Sequence, residues 1–266
     1  MQYFEIVLII VSTAYLGFNR SINKKLDKKY ILGLLVLTIT LQLSLNGFRL
    51  QMIPAYIIWI LAIISAFRRS ETKPKLFIRA LKTTGIVVIL ALSIIFPSVL
   101  PVFDLPEPRG AYNVGTELVH VKTDMDEPIT KDSTDKRELL YKIWYPSQAD
   151  VSSLKGEEYM DQSSRNGFAT TYGFPAALLN HLDLVRAFVY EDIPLADGRF
   201  PVLIFSHGYA SPATGYYAIL ADLASQGYII VNMNHTYESL GAIFPDGSKT
   251  SFDFNYAMEI AKEYHK

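Results

Sequence analysis

The stretch "PVLIFSHGYASPATGYYAILADLASQGYIIVNMNH", residues 201–235, decides the fold. Its apolar run at 202–205 does not alternate, the mark of a parallel strand covered on both faces, and it ends in a Ser-His-Gly turn. A loop over 207–214 leads into a helix on which Tyr216, Ile219, Leu220 and Leu223 share a face. Gly227 stands where a helix C-cap wants positive φ, and a second apolar strand fills 228–233. Strand, helix and strand make a βαβ unit. The crossover of such units is right-handed, which puts the 207–214 loop at the carboxyl edge of the sheet, where α/β proteins build their sites.

Before this unit the solvent changes. The chain has 266 residues, 50% of them hydrophobic and 19% charged, and its mean hydropathy is +0.19. Runs at 30–48, 50–67 and 83–103 are long enough, or nearly so, to cross about 30 Å of hydrocarbon, and a fourth at 3–18 carries Glu5 as its one charge. The segment "ILGLLVLTITLQLSL" is apolar on every face, unlike a helix packed in a soluble core. A cleaved signal peptide would begin with basic residues, which "MQYFE" lacks. Four transmembrane helices are therefore expected.

Positive loops stay in the cytoplasm. Arg20, Lys24, Lys25, Lys28 and Lys29 fill one loop, and Arg68, Arg69, Lys73 and Lys75 fill another, two crossings later. Both are expected inside, which sends the turn near Arg49 and everything after the fourth helix to the outer face. Pro101, Pro106 and Pro108 make residues 104–110 read as an extended linker. The remainder, 111–266, is expected to form an α/β domain. "TELVHVKTD" and "ELLYKIWYP" read as an opening antiparallel pair joined by an exposed connection, "EPITKDSTDKR", and a helix is expected from Pro175.

In the soluble half the chain resembles α/β-hydrolases of the platelet-activating factor acetylhydrolase type, including bacterial membrane-anchored lipases and esterases. The residues that carry the resemblance are "GAYNVGTE", "LLYKIWYPS", "FPVLIFSHG", "LASQGYIIVNMNHTYES" and "FPDG", spread over about 110–250. It implies a multi-pass protein of a bacterial plasma membrane, with its hydrolase domain outside and an ester or phospholipid-like substrate. In such enzymes the loop after the third strand donates a backbone N–H to the tetrahedral oxyanion. Carried over by position, that donor is the Tyr209 N–H, with Gly208 letting the backbone approach substrate. His207 is expected to hold the loop, because the family's catalytic histidine comes later in the chain. With His207, residues His235, Tyr237 and Glu238 are candidates for the substrate-pocket rim, with Ser239 beside them at the strand end and a turn at Asp246-Gly247 shaping the edge.

The rest of a serine-hydrolase site is missing from the reading. No G-x-S-x-G elbow occurs in the 266 residues. Ser211 lies in a loop before Pro212, a poor position for a nucleophile, and no later strands supply an acid or a second histidine. The chain is therefore expected to be an N-terminal portion of an ester hydrolase, or a shortened form, and inactive alone. The alternative is a non-catalytic membrane protein whose degenerate α/β ectodomain binds a lipid or a protein. The net charge of −1 argues against nucleic acid, and the absence of cysteine excludes thiol chemistry and disulfides. Five scattered histidines show no metal spacing, Asp124 and Asp126 read as a solvated turn, and nothing calls for a cofactor. The membrane bilayer is the expected partner, and the oligomeric state is left open.

Overall fold

A computed structural model of the protein describes residues 1–67, 76–132 and 134–264. It divides into two compact units, Met1–Phe103 and Asp104–Lys266.

The first unit is helical: α1 (Tyr3–Lys25), α2 (Lys28–Asn46), α3 (Ile53–Phe67, led by a 3₁₀ turn at Leu50–Met52) and α4 (Leu76–Val99). All four, α3 with its leading turn, are long and apolar enough to cross a membrane. The expected spans shift at their ends. Helix α1 runs past residue 18 but is interrupted there, with Phe18 at φ −115°, ψ 16°. Helix α4 begins before residue 83, carries Arg79 and Lys82 in its first turns, and stops at Val99 ahead of Pro101. The second basic loop, with Arg68, Arg69, Lys73 and Lys75, lies outside the described residues. The one acidic residue of α1 has a partner: Arg49, in the turn between α2 and α3, donates to Glu5 at 2.7 Å, and both side chains are fully buried. Arg49 also donates to the Leu100 carbonyl, and the Gln2 N–H donates to Glu5. A charge buried in hydrocarbon is tolerated when its partners are inside with it.

The second unit is built on a five-stranded mixed sheet of order β3-β1-β2-β5-β4. Strands β1 (Asn113–Asp126) and β2 (Lys136–Ser147) form the expected antiparallel pair, β2 pairs antiparallel with β5 (Ile229–Asn234), and β5 pairs parallel with β4 (Val202–Ser206). The short β3 (Val189–Glu191) runs parallel to β1 at the other edge. Helix α6 (Tyr217–Ser225) joins β4 to β5, so the βαβ unit is present. Gly227 closes that helix with φ +96°, a left-handed value that suits glycine.

The core centres on Trp144, Val114 and Ile230 beneath Tyr217, Leu220, Ala221 and Ala224 of α6, with the Trp144 and Tyr217 rings edge to face at 5.0 Å. The buried face of α6 is thus rotated from the expected one, and Ile219 points to solvent. The largest correction concerns β4. Its residues were expected to be covered on both sides, yet Val202 is 59% and Ile204 76% exposed. The reason is position: β4 is an edge strand, and α6 packs over the strands inboard of it.

Smaller corrections follow from tertiary contacts. The helix expected from Pro175 is a 3₁₀ helix, Ala176–Leu184. An unforeseen helix, α5 (Gln162–Tyr172), is capped by Asp161, which accepts the Ser164 N–H at 2.9 Å, and by Gly173. The connection after β1 opens on a buried residue, Glu127, paired with Arg137 at 2.9 Å. Asp124 and Asp126 lie on β1 itself, and Lys136 holds the Asp126 carboxyl below its ordinary range. Two-residue strands β6 (Ala242–Ile243) and β7 (Lys249–Thr250) flank the Asp246-Gly247 turn, followed by α7 (Phe254–Tyr264). Residues 104–110 contain no helix or strand. Leu105 packs on the core, and Arg109 clamps Asp222 through two nitrogens at 2.8 and 3.2 Å.

Candidate active site

The site is assembled where β4 and β5 end side by side. Parallel pairing puts Ser206 opposite Met233, so His207 and His235 emerge from neighbouring strand ends, their rings 5.1 Å apart. His207 is 6% exposed and uses both nitrogens: Nδ1–H donates to the Gly208 carbonyl at 2.9 Å, and Nε2 accepts the His235 N–H at 3.2 Å. That pattern requires one tautomer of the neutral ring. Burial lowers the His207 pKa, and the nearby His235 adds to the effect, which keeps Nε2 free of a proton. The bond to Gly208 and the charge of Glu238 act in the opposite sense.

Gly208 to Ser211 form a tight turn in which the Ser211 N–H donates to the Gly208 carbonyl at 3.0 Å. That carbonyl therefore accepts two hydrogen bonds, one from His207 and one from Ser211. In a planar trans peptide the N–H points opposite to the C=O, so the Tyr209 N–H is aimed away from His207. Among the described residues nothing accepts it. The neighbouring donors are satisfied: Gly208 N–H meets the Tyr216 hydroxyl at 3.2 Å, and Ala210 N–H meets the Glu238 carbonyl at 2.9 Å.

The role of Gly208 differs in detail from expectation. The left-handed residue of the turn is Ala210, at φ +54°. What Gly208 provides is space, because a Cβ there would sit 3.2 Å from the Tyr216 hydroxyl oxygen. The Tyr209 side chain leans outward and packs edge to face on Phe252 at 5.4 Å.

The structure gathers the other candidates unevenly. Ser206, unremarked in the sequence, shares a hydrogen bond with His235 Nε2 at 2.7 Å and fixes that ring beside the loop. Glu238 contributes its backbone carbonyl to Ala210, and its own N–H donates to His235 O at 3.1 Å. Tyr237 has φ +64°, and its hydroxyl reaches Asp135 at 3.3 Å. Partial burial, then the Asp135 carboxylate, pushes the Tyr237 phenol up to about 12. Thr236 ties the strand end to β2 by donating to the Glu138 carbonyl. Ser239 is buried in the strand-end turn, its N–H donating to His235 O at 2.9 Å. No hydrogen bond joins Ser211 to a histidine among the described residues. No cluster of metal-ligating side chains occurs among the described residues either.

Such an arrangement can hold an anion at the Tyr209 N–H. The sequence model of the family "Platelet-activating factor acetylhydrolase, isoform II" matches residues 99–249, more than half of the chain and all of this site. The chain belongs to this family. Members similar to it include the platelet-activating factor acetylhydrolases of Cavia porcellus, 30% identical over 149 residues, and of Canis lupus familiaris, 30% identical over 146 residues. Each alignment covers 53% of this chain and 30% of the relative. The Bos taurus enzyme is 28% identical over 60% of this chain and 33% of its own length, so the chain spans about a third of the relatives it matches. A ferulic acid esterase from Streptomyces cinnamoneus aligns in structure with a TM-score of 0.48 and 24% identity, covering 62% of this chain and 48% of that one. The second unit, with its mixed sheet and covering helix, is an α/β-hydrolase-like domain of the platelet-activating factor acetylhydrolase type.

Proposed function

We propose that the chain is the membrane-anchored, oxyanion-stabilising portion of a serine ester hydrolase that acts on lipid or other acyl esters at the outer face of the membrane. The observation that carries this reading is the Tyr209 N–H, unpartnered and oriented by a carbonyl that His207 and Ser211 hold in place. A donor fixed before the reaction stabilises the tetrahedral oxyanion without reorganising. Its charge appears only after a nucleophile attacks, and the 266 residues contain no elbow serine. The chain by itself is therefore inactive, and completion requires a segment that carries G-x-S-x-G with its acid and histidine.

Ester turnover tests this directly. The purified chain should not release p-nitrophenol from short acyl esters above a matched blank, and joining an in-frame segment that carries the elbow should start turnover. Gly208→Val in the joined protein should depress kcat by about 10²- to 10³-fold with a smaller change in KM, because the new side chain presses on Tyr216 and turns the Tyr209 N–H away. Turnover by the chain alone, labelled at Ser211, would overturn the assignment. The outer-face placement is tested separately. Single cysteines at Ser21 and Ser152, both exposed, should differ toward an impermeant maleimide on intact cells. Labelling at Ser152 and protection at Ser21 is the expected result, and the reverse pattern refutes the orientation.

A further inference from the structure

Two residues of the site other than glycine have left-handed backbones, Ala210 at φ +54° and Tyr237 at φ +64°. An L-residue takes that conformation at a cost, so it persists only where neighbouring contacts hold it. Ala210 follows Tyr209 in the turn after β4, and Tyr237 lies in the turn after β5. A backbone hydrogen bond joins the two turns: the Ala210 N–H donates to the Glu238 carbonyl at 2.9 Å.

Tyr209 therefore stands between two pinned peptide groups. The peptide on its amino side is held at the Gly208 carbonyl, by His207 and Ser211. The peptide on its carboxyl side is held at the Ala210 N–H, by Glu238. Each peptide is planar and rigid, so the two soft bonds of Tyr209 are its one source of freedom. With both neighbours fixed, rotation about those bonds is blocked and the Tyr209 N–H keeps one direction. Released at Ala210, the second peptide is free to turn over, and the direction is held from one side alone.

The acceptor at Ala210 is placed by Tyr237. The His235 carbonyl collects the N–H groups of Glu238 and Ser239 at 3.1 and 2.9 Å, closing a turn in which Tyr237 is the left-handed residue. An extended or right-handed Tyr237 would send the Glu238 carbonyl in another direction. Contacts on three sides hold the turn. The Thr236 hydroxyl donates to the Glu138 carbonyl of β2, the Tyr237 carbonyl accepts the Asp253 N–H at 2.9 Å, and the Tyr237 phenol reaches Asp135, just before β2, at 3.3 Å. The turn is thus anchored outside the loop that it steadies. We propose that Tyr237 is a positioning residue for the Tyr209 N–H, acting through the left-handed backbone that presents the Glu238 carbonyl to Ala210. The role takes its chemistry from the hydrolase reading above and its geometry from the two turns.

Hydrogen exchange of the full chain in lipid nanodiscs, resolved to single amides by electron-transfer fragmentation, reads the Ala210 N–H. Asparagine tolerates a left-handed backbone, and a β-branched valine does not. Tyr237→Val should therefore lower protection at Ala210 by about tenfold, whereas Tyr237→Asn, which also lacks the phenol, and Tyr237→Phe should keep it within about twofold. Lost protection in the asparagine or phenylalanine variant would overturn the proposal, because it would assign the effect to the side chain and Asp135. Unchanged protection in a Tyr237→Val that circular dichroism shows to be folded would overturn it too. If the valine variant does not fold, the other two decide.

Turnover supplies the second readout. In the joined protein Tyr237→Val should lower kcat by about tenfold to 10²-fold with KM little changed, and Tyr237→Asn should restore it to within about threefold. An unchanged kcat in a variant whose Ala210 N–H has been released would overturn the positioning role while the hydrolase reading stands. A joined protein with no turnover before any substitution would instead overturn the hydrolase reading, and the role with it, however the amides exchange.

Discussion

The two units invert the usual placement of residues in opposite ways. The helical unit buries a charged pair, Glu5 and Arg49, where composition promises hydrocarbon, and the α/β unit exposes an apolar strand, β4, where composition promises a core. The difference lies in where the partners are. Arg49 finds Glu5 and the Leu100 carbonyl inside its own unit, so its charge is compensated locally. For Val202 and Ile204 the described residues offer β5 on one side and no strand on the other. A buried charge with its partners at hand is a finished feature. An apolar edge strand is an open one, available for pairing with another chain.

Breaking the finished feature should have the largest effect. Glu5→Gln leaves the Arg49 guanidinium buried without a counter-charge and should destabilise the helical unit by about 3–5 kcal/mol. Replacing both residues with leucine should restore most of that loss, because a matched apolar pair carries no desolvation penalty. Thermal unfolding in nanodiscs, followed by circular dichroism, measures both. A single variant that melts like the wild type would mean that water reaches Arg49 and that the pair is not truly buried.

The next effect contrasts two isoleucines of the same sheet. Ile230 on β5 is buried in the core, and Ile230→Ala should cost about 2–5 kcal/mol. Ile204 on β4 is one of the most exposed apolar residues of the domain, and Ile204→Ala should stay within about 0.5 kcal/mol. Ile204→Lys should also slow aggregation of residues 104–266 expressed alone, because a charge on an edge strand discourages pairing with another chain. Denaturant unfolding and light scattering provide the two readouts. Equal costs at positions 204 and 230 would show that β4 is covered in solution.

What could be read in the sequence divides along the same line. The four helices and the βαβ unit were legible because each is encoded locally, by a long apolar run or by a change of period around Gly227. The turn after β4 was legible through its Ser-His-Gly sequence. The Glu5–Arg49 pair spans 44 residues and has no spacing to recognise. Helix α5 is polar and depends on its caps at Asp161 and Gly173, and β3, three residues long, is too short to show alternation. In the site, the contact of His207 with His235 crosses 28 residues and exists only because β4 and β5 pair in parallel and in register. Composition reported that β4 is apolar, but it could not report whether neighbours were present to cover it.

The smallest effect probes a buried titratable ring, that of His207 between the two strand ends. Burial lowers its folded-state pKa below the ordinary histidine value of about 6.5. In the pH interval between the lowered value and about 6.5 the unfolded chain binds more protons than the native one, so stability rises with pH there. The contribution is fully present above about 6.5 and is lost as the pH falls through the folded value. A single proton is involved, which limits the slope to about 1.4 kcal/mol per pH unit. Protonated His207 would also present N–H at Nε2 to the His235 N–H, breaking the contact that joins β4 to β5 beyond the sheet. Denaturant unfolding from pH 8 to pH 5 should therefore show a steeper acid loss for the wild type than for His207→Gln, whose amide does not titrate, whereas parallel curves would show that the ring is solvated and that the loop is held by its backbone turn alone.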